Sequence, residues 1–260
     1  MKRPVLALSL ALSVAGLVAS PARGAASRYP SDFRPVAAEG SARAAWVNPA
    51  SIGAAGTQSL VLEGMWDGHP NHLTAAASTD RRAYAVRAEL DDVEGVPDWT
   101  LIVANRVLRP HGTQVGSALE WRIGEDHSVD LTIGLSRPLG AGLQVAVVAE
   151  DVFEADVDGV DGDRLWRFGA SFRPAIGLGF VSWDYQRTQD GNLERHWFGV
   201  GVDRSRKLRA TWAMADDGEW TLRVGILVDR SYLSWGMREP DEGRRNHLAS
   251  LDWNAAPIVR

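Results

Sequence analysis

The chain has 260 residues, a formal net charge of −5 and no cysteine. It therefore has no disulfide framework, no thiolate metal site and no cysteine for an N-terminal lipid anchor. The acidic balance, with 26 arginines scattered rather than clustered, excludes a nucleic-acid partner.

At the N-terminus, Lys2 and Arg3 precede an apolar run from Val5 to Ser20, and Ala22-Arg23-Gly24 supplies small residues beyond it. This pattern predicts a cleaved signal peptide over residues 1–24, with the mature chain starting near Ala25. Losing Lys2, Arg3 and Arg23 would shift the charge to about −8. No later segment has the ~18 continuous apolar residues of a spanning helix, so entry into a membrane would be as a barrel.

Residues 25–56 are rich in Ala, Gly, Ser and Pro, with Ala42 to Gly53 at their centre. Within this stretch Asn48-Pro49 favours a turn, because proline fixes its own φ and biases the preceding residue away from helix.

From Thr57 onward the chain alternates apolar and polar residues with period two. Val129, Leu131, Ile133 and Leu135 alternate with Asp130, Thr132, Gly134 and Ser136. Trp220, Leu222, Val224 and Ile226 alternate with Glu219, Thr221, Arg223 and Gly225. The same rhythm places strands near 57–66, 70–79, 82–90, 99–107, 113–124, 127–137, 141–151, 164–173, 176–186, 194–203, 207–215, 219–228, 231–238 and 245–253. Most are close to the ~9–11 residues of a tilted membrane strand.

Alternation alone fits a soluble sandwich equally well. The joints separate the two. After odd strands they are acidic and include the longest, Asp151 to Asp163. After even strands they are short and mostly basic, as in Asp80-Arg81-Arg82, Pro138-Leu139-Gly140 and Arg204-Ser205-Arg206. Short periplasmic turns opposite longer external loops are a property of bacterial barrels. The acidic joints are expected outside and the arginine-bearing turns in the periplasm. The eleven tryptophans fit an aromatic belt at a membrane interface, or a tryptophan-rich core. The expected fold is an all-β, antiparallel transmembrane barrel of about 14 strands over residues 57–260, with a short N-terminal plug over 25–56.

The segment with Trp46, Asn48, Pro49 and Ala50, followed by Ser51-Ile52, resembles the Asn-Pro-Ala motif of the long-chain fatty-acid transporter family of outer-membrane barrels. Its relatives include type IX secretion shuttle barrels and barrel segments preceding signal-peptide-peptidase-like proteases. The resemblance implies a fourteen-stranded barrel in which this motif belongs to a hatch inside the lumen, with Trp46 packed on the inner wall. Ser51 stands where that family usually has glycine. The chain ends Pro257-Ile258-Val259-Arg260 rather than on the terminal aromatic that barrel-assembly machinery commonly reads.

No Gly-x-Ser-x-Gly elbow, His-Glu-x-x-His pair or phosphate loop is present, and a serine-lysine dyad would have to use Lys207 at a basic turn. No enzymatic activity and no cofactor are expected. His69 and His72 read as solvated histidines without a third ligand. Asp156, Asp158, Asp161 and Asp163 form an oxygen-rich loop that misses the calcium pattern, because Val160 takes the fifth position and no glutamate closes it. They are at most weak cation ligands.

The inward faces are expected to carry Arg87, Glu89, Glu120, Arg122, Arg167, Arg209 and Arg223, which can pair across strands and with the plug. On this reading, arginine at outward Ile133 or Val224 is costly, whereas arginine at inward Ser136 or Thr221 is mild. The expected partners are outer-membrane lipid, the assembly machinery, and a hydrophobic ligand admitted past the hatch. The alternative is a non-conducting scaffold or shuttle barrel for a protein partner.

Overall fold

The computed structural model describes residues 35–37, 41–53, 58–67, 70–90, 98–108, 112–123, 128–152, 164–174, 179–189, 191, 193–202, 207–229, 231–239 and 245–254. The predicted signal peptide and the aspartates from Asp156 to Asp163 lie outside them.

Alternating apolar and polar residues give fourteen strands. They are β1 (Ser59–Trp66), β2 (Pro70–Ser78), β3 (Arg82–Glu89), β4 (Asp98–Leu108), β5 (Gln114–Ile123), β6 (Ser128–Gly140) and β7 (Leu143–Glu150). Then follow β8 (Leu165–Phe172), β9 (Gly179–Thr188), β10 (Glu194–Val202), β11 (Leu208–Ala215), β12 (Trp220–Val228), β13 (Ser231–Glu239) and β14 (Asn246–Asn254). Each strand pairs antiparallel with its sequence neighbours, and β1 pairs with β14, so the sheet closes into a barrel without edges. The last residues of all odd strands therefore lie at one end of the barrel and those of all even strands at the other. No described helix is long and apolar enough to cross a membrane.

On most strands the two faces differ in burial, although on β2 and β3 both faces hold buried residues. Outward residues such as Ile133, Leu135, Phe198, Val200 and Ile226 are exposed and apolar, whereas inward ones such as Val61, Ala83, Ala104 and Val148 are fully buried. Exposed apolar side chains spread over most of the ring, from β4 to β14, would be costly in water and are at home in hydrocarbon.

The tryptophans resolve the choice between belt and core. Trp46 and Trp197 are buried inside the barrel, and the other nine occupy outward positions. Trp66, Trp99, Trp121, Trp166 and Trp220 cluster near the strand ends bearing the acidic joints. There Trp66 stacks on His247 at 5.9 Å, and Tyr185 meets His196 at 4.8 Å. An aromatic ring with one apolar and one wet side suits such a girdle.

Two expectations are corrected. The β6–β7 turn is not Pro138-Leu139-Gly140: β6 continues through Gly140, a bulge falls between Pro138 and Gly140, and the reversal occurs at Ala141 and Gly142. Proline lacks a donor N–H, and the bulge at the strand end is where the ladder can lack one. Inward Ser136 and Thr221 do not face open space; both are buried, and Ser136 Oγ accepts a hydrogen bond from Gln144 Nε2 at 2.7 Å. Arginine there would have to displace packed neighbours.

The β6–β7 reversal needs three consecutive left-handed residues, with φ of +89° at Gly140, +50° at Ala141 and +84° at Gly142. A Cβ at Gly142 would collide with the Arg173 carbonyl, while one at Gly140 meets open space. Gly140→Ala should therefore cost only the left-handed penalty of ~1–2 kcal/mol. Gly142→Ala should cost clearly more, because β8 must also shift. Urea unfolding midpoints in detergent micelles check this order, and equal loss in both variants would refute it.

Candidate functional site: an arginine clamp inside the barrel

The site begins with a short piece of chain inside the lumen. Ser41 to Gly53 forms a one-turn helix α1 (Ala44–Val47) and a 3-10 turn over Pro49–Ser51. Asn48 lies between them with extended backbone, φ −163° and ψ 99°, as the residue before proline prefers. Its side-chain oxygen accepts from the Ala50 N–H at 3.1 Å, and its amide donates to the Val36 carbonyl at 2.8 Å. The Asn-Pro pair thus caps the turn and ties it to the preceding residues. A short polar side chain at that position is the usual way to satisfy a free N–H at a helix start.

Small residues on the wall make room. A Cβ on Gly116 of β5 would fall on the backbone of Pro49 and Ala50, and one on Gly134 of β6 would meet the Asn48 side chain. Two strands further along the ring from β6, Gly169 of β8 leaves space for Val36. Trp46 is buried and lies 5.7 Å from the Arg87 guanidinium, a cation-π distance. The segment is anchored at the basic-turn end as well: Arg106 Nη1 donates to the Ile52 carbonyl at 2.9 Å, and the Ala42 N–H donates to Ser59 Oγ at 2.8 Å.

Arg43 dominates the electrostatics. It is 1% exposed, and its guanidinium reaches two strands at once. Nε and Nη2 donate to Glu63 Oε2 of β1 at 2.9 and 2.7 Å, while Nη1 and Nη2 donate to Asp252 of β14 at 3.0 and 2.7 Å. A planar guanidinium that serves two carboxylates with several N–H bonds is the strongest kind of side-chain contact. Arg223 of β12 also donates to Glu63 at 3.3 Å and bonds Ser250. Arg209 of β11 sits 3.8 Å from Asp252 and 3.8 Å from the Tyr232 ring.

A second buried cluster holds the opposite side. Asp184 of β9 accepts from the Val36 N–H at 2.9 Å and faces Arg167 of β8 at 3.7 Å. Arg167 in turn lies 3.6 Å from Glu150 of β7. Toward the acidic-joint end, Arg122 pairs with Glu120 at 3.1 Å, and Arg195 pairs with Glu219, to which Arg238 also donates.

By strand register Arg87, Glu89, Glu120, Arg122, Arg167, Arg209 and Arg223 share the parity of the buried inward residues on their strands. They are not one site: Arg209 and Arg223 join the Arg43 cluster, Arg167 joins Asp184, Arg87 covers Trp46, and Glu120 with Arg122 forms a separate pair near one end beside the inward Glu89. The clamp residues Arg43, Glu63 and Asp252 are not evident in the sequence, because they are far apart along the chain. Glu63 carries one signal, a lone carboxylate between inward Val61 and Met65. His72 is inward on β2, and among the described residues no group of three or more His, Cys, Asp or Glu could hold a metal.

No family model matches the sequence, and no curated protein matches it either. Among solved structures, the chain is similar to the outer-membrane protein Omp33 of Acinetobacter baumannii, with a TM-score of 0.50 and 9% identity, covering 76% of this chain and 96% of that one. It is also similar to the KdgM porin, at 0.45 and 3% over 75% of this chain and 98% of that one. A porin of Rhodopseudomonas blastica, a triple mutant, aligns at 0.42 and 8% over 76% and 98%. At these identities the likeness to Omp33 speaks to the fold: a closed antiparallel barrel of the outer-membrane type.

Proposed function

We propose that the chain is a bacterial outer-membrane barrel that its own N-terminal segment stops from within, and that solute enters only when this stop is displaced. The observation that carries the reading is the Arg43 clamp, which bonds the segment to both strands of the closing seam. A fourteen-stranded ring is wider than the eight-stranded case that wall side chains can fill, so without the segment the lumen would hold water.

The sequence resemblance implies a hydrophobic ligand. The described inner wall favours a small polar one instead, because the approach from the acidic-joint end passes Glu120, Arg122, Arg195, Glu219 and Arg238. A permanently sealed scaffold for a protein partner is the second reading, favoured by the complete burial of the segment around Arg43.

Conductance in planar bilayers distinguishes them. The intact protein should pass little current, and deleting residues 25–56 should leave a barrel that assembles and conducts more. Arg43→Gln leaves two buried carboxylates short of a partner. It should destabilise the seated segment by ~3–5 kcal/mol and raise the frequency of openings. Unchanged conductance in both variants would rule out an internal stop.

The membrane setting has its own test. Ile133→Arg, in the middle of β6, should cost ~2–4 kcal/mol in lipid vesicles, and Val228→Arg at the end of β12 only ~0–1 kcal/mol. Equal costs at the two depths would show that no hydrocarbon surrounds the ring.

A further inference from the structure

The outward wall is not convex everywhere. Across β3, β2, β1, β14, β13 and β12 it forms an apolar groove of about 690 Å³, a size within the roughly 300–1,000 Å³ of ligand-binding pockets. The strand register lays its lining in two rows. One runs Val86, Ala75, Leu62, Leu251, Leu233 and Ile226, and the other, one pleat away, is centred on Gly64, Ala249 and Trp235. On the β3 side Val86 and Ala75 are buried although they point outward, while Leu233 and Ile226 form an exposed rim.

Gly64 marks the floor. Its φ is not positive, and a Cβ there would meet Leu73 Cδ2 at 3.4 Å and the His72 carbonyl oxygen at 4.0 Å, both ordinary contacts. Neither backbone conformation nor wall packing requires glycine at this point, and its effect is to leave the groove open.

We propose that this groove seats an acyl chain of a phospholipid from the surrounding bilayer. The inference rests on the outer-membrane reading above. Three observations select this occupant. The groove is continuous with the exposed apolar belt, so whatever fills it comes from the hydrocarbon phase. Its lining side chains are overwhelmingly apolar, so it offers a headgroup nothing and a methylene chain a great deal. A second copy is disfavoured, since a two-fold contact would set concavity against concavity and leave a void.

The groove also backs the clamp. Leu62 and Gly64 flank Glu63, and Leu251 lies between Ser250 and Asp252, so the same stretches of β1 and β14 face the acyl chain outside and Arg43 within. A chain seated outside and an arginine bound inside hold one wall shape.

The test uses the full-length protein in phosphatidylcholine vesicles containing a phosphatidylcholine with a diazirine midway along one acyl chain, with adducts mapped by mass spectrometry after irradiation. Adducts should concentrate on Leu62, Leu251 and Trp235, exceeding those on Phe198 and Val200 of β10, although those two are 54% and 47% exposed. Gly64→Phe should fill the groove and abolish that excess while leaving β10 labelling unchanged. Arg43→Gln should reduce the excess. Labelling that simply follows exposure, or an excess that survives Gly64→Phe, overturns the proposal. Failure of the membrane reading looks different, because then no outward position is labelled, on β10 or elsewhere.

Discussion

A barrel must close, and here the closing pair, β1 with β14, is bridged from inside by one guanidinium. Arg43 binds Glu63 on the first strand and Asp252 on the last. Backbone bonds alone would join these strands as they join every other pair. The arginine adds a link between the seam and a segment that precedes the whole sheet in sequence, so seating the segment and closing the ring favour one another. The cost is that three charges leave water. It is offset only because each carboxylate meets several N–H donors in a low-dielectric interior, where both attraction and loss of a partner are magnified.

The rest of the inner wall follows the same constraint. A carboxylate or guanidinium facing a filled lumen must find a partner, and the barrel offers two kinds: the neighbouring strand and the segment. Arg167 and Glu150 use the first, while Asp184 uses both, taking Arg167 from β8 and the Val36 N–H from the segment. Glycine supplies the steric complement. Gly116, Gly134 and Gly169 let the segment approach where a methyl group would not fit, so tight packing and dense charge pairing occur together.

Much of this architecture was legible because period two is a local property. The alternation of Val129 to Ser136 specifies both the strand and its faces, and the sorting of joints by charge specifies a ring with two unlike ends. The β6–β7 turn was not legible, since Pro138 reads as a chain breaker unless the bulge that accommodates it is known. The inward direction of Arg87, Arg167 and Arg223 could be read from parity, but their partners could not. Arg43 and Asp252 are separated by 209 positions, and no spacing rule joins them. The motif around Asn48 was visible for a local reason, the restriction that Pro49 places on its predecessor. What Asn48 does with its side chain depended on where Val36 lies.

The inner and outer faces of the seam are two sides of one object. In a strand, Glu63 points inward because Leu62 and Gly64 point outward, and Ser250 and Asp252 point inward because Ala249 and Leu251 do not. Arg43 holds Glu63 and Asp252, and Arg223 holds Glu63 and Ser250, so the inward side chains of β1, β14 and β12 are tied to one another behind the groove. On the far side of the same backbone lies the apolar groove. Gly64 and Ala249 keep that groove open, since bulky side chains there would fill it. The apolar groove outside and the polar clamp inside therefore share one wall a single backbone thick, and a change in the path of β1 or β14 alters both.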